Sequence, residues 1–220
     1  MASRHPGESP GYAKLRDELF EAEVALRDQR ERVAELRRSL PQDTAVPDET
    51  FEELREGKRV TVKLSELFVD PTKPLILMQF MFGKSQAKPC PVCTLWADGY
   101  DGVVPHLQQR ANFAVLVAGD VGEFSDYARG RGWHNLRLIS AAGSGLKAEL
   151  GFETPEGGQL PGVSIYTRGT DGALHHFYSQ CALLGEAGFR GMDLLSPAWH
   201  FFDLLPEGRG DFMPRNSYEA

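Results

Sequence analysis

The chain has 220 residues, of which 41% are hydrophobic, 25% charged and 10% aromatic, a composition typical of a globular protein with its own core. Its formal net charge is −7 at pH 7. This balance argues against a nucleic-acid partner and against electrostatic attachment to a membrane, because both require a basic face. Three cysteines are too few, and odd in number, for a secreted disulfide scaffold.

The sequence predicts neither a membrane span nor a secretory signal. No segment approaches about 18 consecutive apolar residues, so the sequence predicts no membrane span. Residues Met1 to Pro10 contain Arg4, His5 and Glu8 and lack the apolar stretch of a secretory signal. We therefore expect a cytoplasmic protein, and in that reducing compartment a close cysteine pair is typically catalytic, redox-sensing or metal-binding.

The N-terminal segment from Ser9 to Leu40 predicts one long helix. Ser9 is a suitable cap, Pro10 suits the first turn and Pro41 ends the helix. A heptad seam, with residues spaced alternately four and three apart, consists of Leu15, Leu19, Ala22, Leu26, Gln29, Val33, Leu36 and Leu40. Two alternatives stay open: the helix packs on its own domain, or it forms a homodimer with a second copy.

The domain division follows from the segment after this helix. Residues Pro41 to Gly57 are mostly polar and include prolines, which predicts a linker. We therefore divide the chain into residues 1–55, an N-terminal helix and linker that is a candidate dimerisation element, and residues 56–220, the main domain.

The sequence of the main domain predicts strands that alternate with helices. Strands are expected at 59–64, 75–82, 112–118 and 136–140, and in a hairpin formed by 161–167 and 173–179. Helices are expected at 90–110, with a kink or break near Pro105, at 123–130 and at 196–205, with single helical turns at 65–68 and 147–150. This alternation predicts an α/β fold with a central mixed sheet flanked by helices.

The motif Cys90-Pro91-Val92-Cys93 lies between the apolar strand at 75–82 and the helix that begins at residue 90. At such a place backbone N–H groups and the helix dipole favour a thiolate on the first cysteine. The second cysteine lies one turn further and can resolve a mixed disulfide. Cys90 is therefore the predicted nucleophile and Cys93 the predicted resolving thiol. Pro91 suits the first helical turn, and Lys88 is a candidate for further stabilising the thiolate.

Three parts of the chain resemble the DUF899 family of bacterial thioredoxin-like proteins. They are Gln79 to Gly83 with Cys90 to Gly102, Pro161 to Tyr166, and Ala198 to Pro206, and the resemblance extends over roughly residues 10 to 210. It implies a thioredoxin-like fold with a long N-terminal helix extension. Thioredoxins proper carry a different sequence within and before the cysteine pair, and the buried acid that serves them as a proton relay has no match in Leu75 to Phe82.

A thioredoxin-like fold also implies a role for Pro161, which opens the first strand of the hairpin. In that fold a cis-proline at this place faces the cysteine pair and keeps a backbone edge open for substrate. We therefore expect Pro161 to be cis and to belong to the catalytic site with Cys90 and Cys93. Trp96 and Cys181 are secondary candidates, although a core position for Trp96 and a structural thiol for Cys181 are the plainer interpretations.

The function predicted from these residues is reversible thiol–disulfide exchange by a cytoplasmic oxidoreductase. It needs a disulfide substrate and a thiol electron donor and requires no cofactor or metal. A peroxiredoxin-like peroxide reductase is one alternative, since Cys90 could form a sulfenic acid that condenses with Cys93. A zinc site built from Cys90 and Cys93 with His175, His176 or Cys181 is another. A non-enzymatic interaction protein with unreactive cysteines is the third.

Overall fold

The computed structural model describes residues 6–184, 195–208 and 210–217. Met1 to His5, part of the stretch considered as a targeting signal, lie outside the described residues. The chain forms two compact units, Met1–Pro41 and Gln42–Ala220. Within the described part of the chain, no helix combines the length and the apolar character that crossing a bilayer requires.

The first unit contains a single long helix, α1 (Pro10–Arg38). The Ser9 hydroxyl accepts a hydrogen bond from the Tyr12 N–H at 3.2 Å, and Pro10 occupies the first helical position, which confirms the predicted start. No residue of α1 is buried, and Leu19 and Leu26 of the heptad seam are 51% and 54% exposed. The seam is therefore accessible along this helix.

The second unit is built on a seven-stranded sheet with the strand order β2-β1-β5-β4-β3-β6-β7. Strands β3, β4 and β5 are mutually parallel, whereas β6 is antiparallel to β3, and β1–β2, β1–β5 and β6–β7 are antiparallel pairs. The strands are β1 (Thr50–Arg55), β2 (Lys58–Lys63), β3 (Leu75–Gln79), β4 (Asn112–Val117), β5 (Leu138–Ser140), β6 (Gly162–Arg168) and β7 (Leu174–Cys181).

Helices cover the sheet and connect its strands. They are α2 (Pro91–Leu107), α3 (Val121–Arg131), α4 (Leu146–Glu149) and α5 (Ala198–Phe202), with a 3-10 turn at Leu64–Leu67. Strand β3 is buried on both faces: Leu75 and Leu77 join one hydrophobic cluster, whereas Met78 joins the other. This burial explains the near-continuous apolar run of its sequence.

The unit β3-α2-β4, with the hairpin β6–β7 antiparallel beside β3, is the arrangement of the thioredoxin fold. The α2 helix follows β3 and leads into β4, its parallel neighbour, so the crossover helix begins at the end of the central strand. The predicted thioredoxin-like α/β fold with a long N-terminal helix is therefore confirmed.

Strand β1 corrects the prediction that residues 41–57 form a linker. It lies between β2 and β5 in the sheet and pairs with both. Phe51 is the one fully buried side chain of β1, and most of its other residues are polar. The strand therefore lacks the hydrophobic alternation from which a strand is predicted. Tertiary pairing, rather than local pattern, makes this segment a strand.

The helix after the cysteine motif also differs in detail from the prediction. It continues through Pro105 and ends at Leu107. Pro105 has no N–H to donate to the carbonyl of Asp101, four residues earlier, and that carbonyl instead accepts a bond from Asn135 Nδ2 at 2.9 Å. The final helix is shorter than predicted and ends at Phe202.

Two glycines set the path of the loop between β3 and the cysteines. Gly83 has a φ of +94°, and a Cβ on it would lie 2.1 Å from Gly119 Cα. The loop therefore passes directly against the backbone that follows β4, at a distance that no other residue type allows.

We expect Gly83→Ala to lower the free energy of unfolding by about 3 kcal/mol, because it adds both a steric overlap and an unfavourable φ. Urea denaturation followed by circular dichroism measures the change. The control is Gly99→Ala in α2, where a Cβ meets nothing within 4 Å. That substitution should stabilise the protein by about 0.5–1 kcal/mol, and equal effects at the two sites would contradict the role of the close contact.

Candidate active site

The backbone of β3 continues in an extended path beyond its last assigned residue. The Phe80 N–H donates to the Leu116 carbonyl at 2.9 Å, and the Ala118 N–H donates to the Phe82 carbonyl at 3.1 Å. These two bonds hold residues 80–82 alongside the end of β4. Met81, between them, is therefore held by a central strand of the sheet.

Met81 contacts both cysteines through its backbone. Its carbonyl accepts a hydrogen bond from the Cys90 N–H at 3.2 Å. The Met81 backbone also lowers the pKa of the Cys93 thiol, against the burial that raises it. One residue at the end of the central strand therefore acts on both cysteines. The apolar side chain of Met81 does not indicate this role in the sequence.

Cys90 is the cap residue of α2, and Pro91 occupies the first helical position, as predicted. The Cys90 carbonyl accepts hydrogen bonds from the Thr94 N–H at 2.9 Å and from the Thr94 hydroxyl at 3.0 Å. The Thr94 hydroxyl also lies 2.9 Å from the Tyr127 hydroxyl of α3. Thr94 therefore closes the first turn of α2 around the cysteine pair and connects it to α3.

The two thiols have opposite pKa shifts. The side-chain hydrogen bond to Cys93 lowers the pKa of the Cys90 thiol to about 6, burial opposes this effect, and the N–H groups of Cys93 and Val92 support it. Burial raises the pKa of the Cys93 thiol, and the neighbouring Cys90 raises it further. Cys90 is thus the sulfur that ionises readily, and Cys93 is the sulfur that donates to it.

Exposure distinguishes the two sulfurs in the same way. Cys90 is 9% exposed, whereas Cys93 is fully buried. Both cysteines, together with Cys181, are free thiols in this structure. The structure therefore presents the pair in its dithiol form, with the more acidic thiol nearer to solvent.

The C-terminal segment packs near the cysteine pair. Asn216 Nδ2 donates to the carbonyl of Pro89 at 2.8 Å, directly before Cys90. The Tyr100 hydroxyl of α2 donates to the Leu195 carbonyl. Leu195 and Trp199 belong to the same hydrophobic cluster as both cysteines. The sequence did not indicate these C-terminal contacts beside the cysteine pair.

Pro161 lies at the sheet end where the cysteines are attached. Gly162 pairs with Gln79 of β3, so the preceding residue, Pro161, lies beside the backbone that continues to Met81. No peptide bond among the described residues is cis, so the predicted cis-proline is wrong. The trans bond is the more stable isomer by about 0.5–1 kcal/mol, and in this conformation the Pro161 carbonyl accepts from the Ala182 N–H at 2.9 Å.

The secondary candidates fall into different environments. Lys88 is exposed and is not among the groups that lower the pKa of Cys90, so it does not account for that shift. Trp96 is buried in the cluster that contains both cysteines. Cys181 is partly buried and ends β7, where it pairs with Gly162. It therefore lies across the hairpin from the residue that follows Pro161.

The ligands of the alternative zinc site do not come together. Within residues 6–184, 195–208 and 210–217, no group of three or more His, Cys, Asp or Glu side chains could hold a metal ion. His176 instead has a ring nitrogen 2.7 Å from the Ser179 hydroxyl and packs against the Tyr166 ring. The described residues thus give no support to a zinc site formed by Cys90, Cys93 and the hairpin.

Lys147 of α4 is the ionisable residue near the site that the sequence analysis missed. Its side chain is 1% exposed, and its Nζ lies 3.3 Å from Gln79 Oε1 and 3.4 Å from the Phe80 carbonyl oxygen. Burial lowers the pKa of Lys147 to about 8. The surrounding sequence is glycine-rich and predicts only a single helical turn at 147–150, so no local signal could have placed this lysine in the interior.

These features define a thioredoxin-fold protein with two neighbouring thiols at the start of the helix that follows its central strand. The chain belongs to the family described as "Bacterial protein of unknown function (DUF899)", whose sequence profile matches residues 2–219. The resemblance seen in the sequence is therefore confirmed over nearly the whole chain. A search of the curated proteins finds no match.

Several solved structures are similar to the chain at low identity. Reduced Prx3 from Vibrio vulnificus, in complex with H2O2, is 14% identical over 67% of this chain and 88% of its own, with a TM-score of 0.47. The mitochondrial 2-Cys peroxiredoxin of Plasmodium falciparum is 14% identical over 63% and 80%, with a TM-score of 0.46. Peroxidoxin BcpB of Mycobacterium tuberculosis is 18% identical over 61% and 83%, with a TM-score of 0.43. These scores are too low to support a conclusion on chemistry.

The pKa of Cys90 predicts how its reactivity depends on pH. Alkylation of Cys90 by iodoacetamide should be half-maximal near pH 6, because the thiolate forms at a pKa of about 6. Peptide mass spectrometry of briefly labelled native protein measures the rate at Cys90 alone. Cys93→Ala should move the midpoint to higher pH, because it removes the hydrogen bond that lowers the pKa. An alkylation rate at Cys90 that still rises about tenfold per pH unit up to pH 8 would contradict the lowered pKa of this thiol.

Proposed function

We propose that the protein catalyses reversible thiol–disulfide exchange with Cys90 as the nucleophile and Cys93 as the resolving thiol. The Cys90 thiolate attacks a substrate disulfide, one sulfur leaves as a thiolate, and a mixed disulfide forms. The Cys93 thiol then loses its proton and attacks Cys90, which releases the second substrate thiol. The substrate disulfide is reduced by two electrons, and the Cys90–Cys93 dithiol is oxidised to a disulfide.

This proposal is supported by the placement of the two thiols, with Cys90 as the cap residue of α2 and Cys93 fully buried one turn further, together with their opposite acidity. One thiolate forms near pH 6 and a neutral donor lies beside it, which is the arrangement that a nucleophile and a resolving thiol require. Cysteines that serve only as small core residues have no need of an ionisable member. Pro161, at the same end of the sheet, is proposed as the substrate-facing residue of the site.

The partners of this reaction follow from its electron balance. A substrate disulfide accepts two electrons, and a separate thiol system must return them to the Cys90–Cys93 disulfide. No cofactor takes part in either half of the cycle. A reducing compartment such as the cytoplasm supplies such thiols, which agrees with the location expected from the sequence.

Peroxide reduction is a second candidate, favoured by the 9% exposure of Cys90. A peroxide reaches a recessed sulfur more readily than a bulky protein disulfide does. The Cys90 thiolate would take one peroxide oxygen and become a sulfenic acid, while the O–O bond breaks and the other oxygen leaves with the electron pair as hydroxide or an alkoxide, which takes up a proton from water. Cys93 would then condense with the sulfenic acid and release water, which leaves the same Cys90–Cys93 disulfide.

Thiol counting in defined glutathione buffers tests the exchange reaction. In the Cys181→Ser background we expect both remaining thiols to disappear together as the buffer becomes oxidising, and to return on reduction. Cys93→Ser should instead accumulate a glutathione adduct on Cys90, because the resolving thiol is gone. Cys90→Ser should form neither product. Two native thiols that stay unmodified in every buffer would overturn the proposal and favour the interaction protein.

The same variants separate the two substrates. Hydrogen peroxide consumption in the presence of dithiothreitol should exceed the background rate and depend on Cys90 if peroxide is the substrate. If the protein reduces oxidised glutathione faster than it consumes hydrogen peroxide, thiol–disulfide exchange is the main activity. Because both arms use the same protein preparation, their rates can be compared directly.

We propose in addition that the N-terminal segment, residues 1–55 of the sequence-based division, is a dimerisation element. The double variant Leu19→Gln, Leu26→Gln should convert a dimer to a monomer, because each buried leucine contributes about 1.5–3 kcal/mol to such an interface. Light scattering after size exclusion measures the mass. The matched control, Glu21→Gln with Glu31→Gln, changes exposed residues outside the seam and should leave the dimer intact. A wild-type chain that is already monomeric would rule out the dimer.

A further inference from the structure

Lys147 is a buried cation whose local contacts do not explain its burial. Its two nearest polar partners, Gln79 Oε1 at 3.3 Å and the Phe80 carbonyl at 3.4 Å, are uncharged. Charge-assisted hydrogen bonds are typically shorter, at about 2.7–2.9 Å. An ammonium group that is almost fully removed from water normally requires closer or charged partners.

The charged groups around Lys147 include one carboxylate, but that carboxylate is paired with another lysine. Glu153 is the nearby acid that acts on it, but this carboxylate forms its own ion pair with Lys84 at 2.6 Å. Among the residues that the structure describes, Lys147 forms no ion pair with an acid. Lys84 also acts on Lys147 and disfavours its charged form, whereas Cys93 favours it. Once it has lost its proton, the Cys93 sulfur is therefore the available counter-ion.

A single peptide group connects the lysine with the thiol. Lys147 Nζ contacts the carbonyl oxygen of Phe80. The same peptide group contains the N–H of Met81, the residue whose backbone lowers the pKa of the Cys93 thiol. A positive charge at the oxygen of a peptide group polarises it, which makes its N–H a stronger donor. The lysine thus acts on the sulfur through this peptide group as well as through space.

We propose that Lys147 is the positioning residue that allows Cys93 to lose its proton when it resolves the mixed disulfide, an inference that rests on the proposed exchange reaction. In that step the Cys93 S–H bond breaks and its proton passes to solvent. The resulting thiolate forms a bond to Cys90 sulfur, and the bond from Cys90 to the substrate sulfur breaks. The substrate leaves with the electron pair as a thiolate.

The other ionisable groups near Cys93 cannot supply this charge. Cys90 is bound in the mixed disulfide at this stage and carries no charge. Burial raises the pKa of the Tyr100 hydroxyl, which therefore stays neutral. Lys147 is the cation that lowers the pKa of Cys93, against the burial that raises it. Without it the resolving sulfur would remain a neutral thiol in an apolar core.

Reaction with the aromatic disulfide 5,5′-dithiobis(2-nitrobenzoate) tests this role, because each step releases a coloured thiolate. In the Cys181→Ser background, the first release reports attack by Cys90, and the second reports resolution by Cys93. We expect Lys147→Met to slow the second release at pH 7 by about tenfold or more, since one pKa unit changes the thiolate fraction tenfold. The second release should recover at higher pH, while the first should keep its pH profile.

Two comparisons separate this role from a structural one. Lys58→Met removes the same charge at an exposed position of β2 and should leave both releases unchanged. Lys147→Met should unfold at the same temperature as the parent protein or higher, because it removes a buried charge. A lower unfolding temperature with an unchanged pH profile would assign Lys147 to the structure alone. Lys147→Gln, also neutral but polar, should reproduce the slow resolution.

The outcomes distinguish the two proposals. A parent protein that reacts at Cys90 without a second release would overturn the exchange reaction, and with it the role of the lysine. Equal resolution profiles for the parent and both Lys147 variants would overturn the role of the lysine alone. If neither variant folds, the pKa of Lys147 is measured by NMR titration of labelled lysine in the parent protein and in Cys93→Ala. We expect the Cys93→Ala substitution to lower this pKa. Identical titration curves for the two proteins would refute the interaction between Lys147 and Cys93.

Discussion

The backbone of Met81 is the constraint on which the site depends. Its carbonyl accepts a hydrogen bond from the Cys90 N–H, and its backbone lowers the pKa of the Cys93 thiol, so one residue at the end of the central strand acts on both cysteines. That residue is itself held by hydrogen bonds on either side, at Phe80 and Phe82, to the neighbouring strand. The sheet therefore fixes the geometry of the cysteine pair, because residues held by strands are positioned more precisely than residues on loops.

The second property of the site is its unequal distribution of charge. The pKa of the Cys90 thiol is lowered to about 6, burial raises the pKa of the Cys93 thiol, and the Lys147 cation contacts the carbonyl of the Phe80–Met81 peptide group. Groups of opposite acidity placed side by side are the usual basis for separate roles in one reaction. The buried Lys147 is unfavourable for folding by itself, so its presence is best understood through the chemistry that it supports.

Most of the fold was predictable because its elements are encoded by neighbouring residues. The apolar run of β3, the turn residues of the β6–β7 hairpin and the cap of α1 each have a local signal. Strand β1 lacked one, because its pairing on both sides depends on β2 and β5 and its sequence buries a single phenylalanine. The conformation at Pro161 was wrongly predicted because the isomer depends on tertiary context, which the resemblance to thioredoxins does not transfer.

The sequence by itself determined the cysteine pair, its place between a buried strand and a helix, and the family to which the chain belongs. Those features depend on residues close together in the chain. Only the tertiary structure decided that the Met81 carbonyl accepts from Cys90, that the C-terminal segment packs near Cys90, and that Lys147 is buried against the Phe80 carbonyl. These contacts join segments far apart in the chain, and their partners are set by sheet register and packing, which leave no periodic pattern in the sequence.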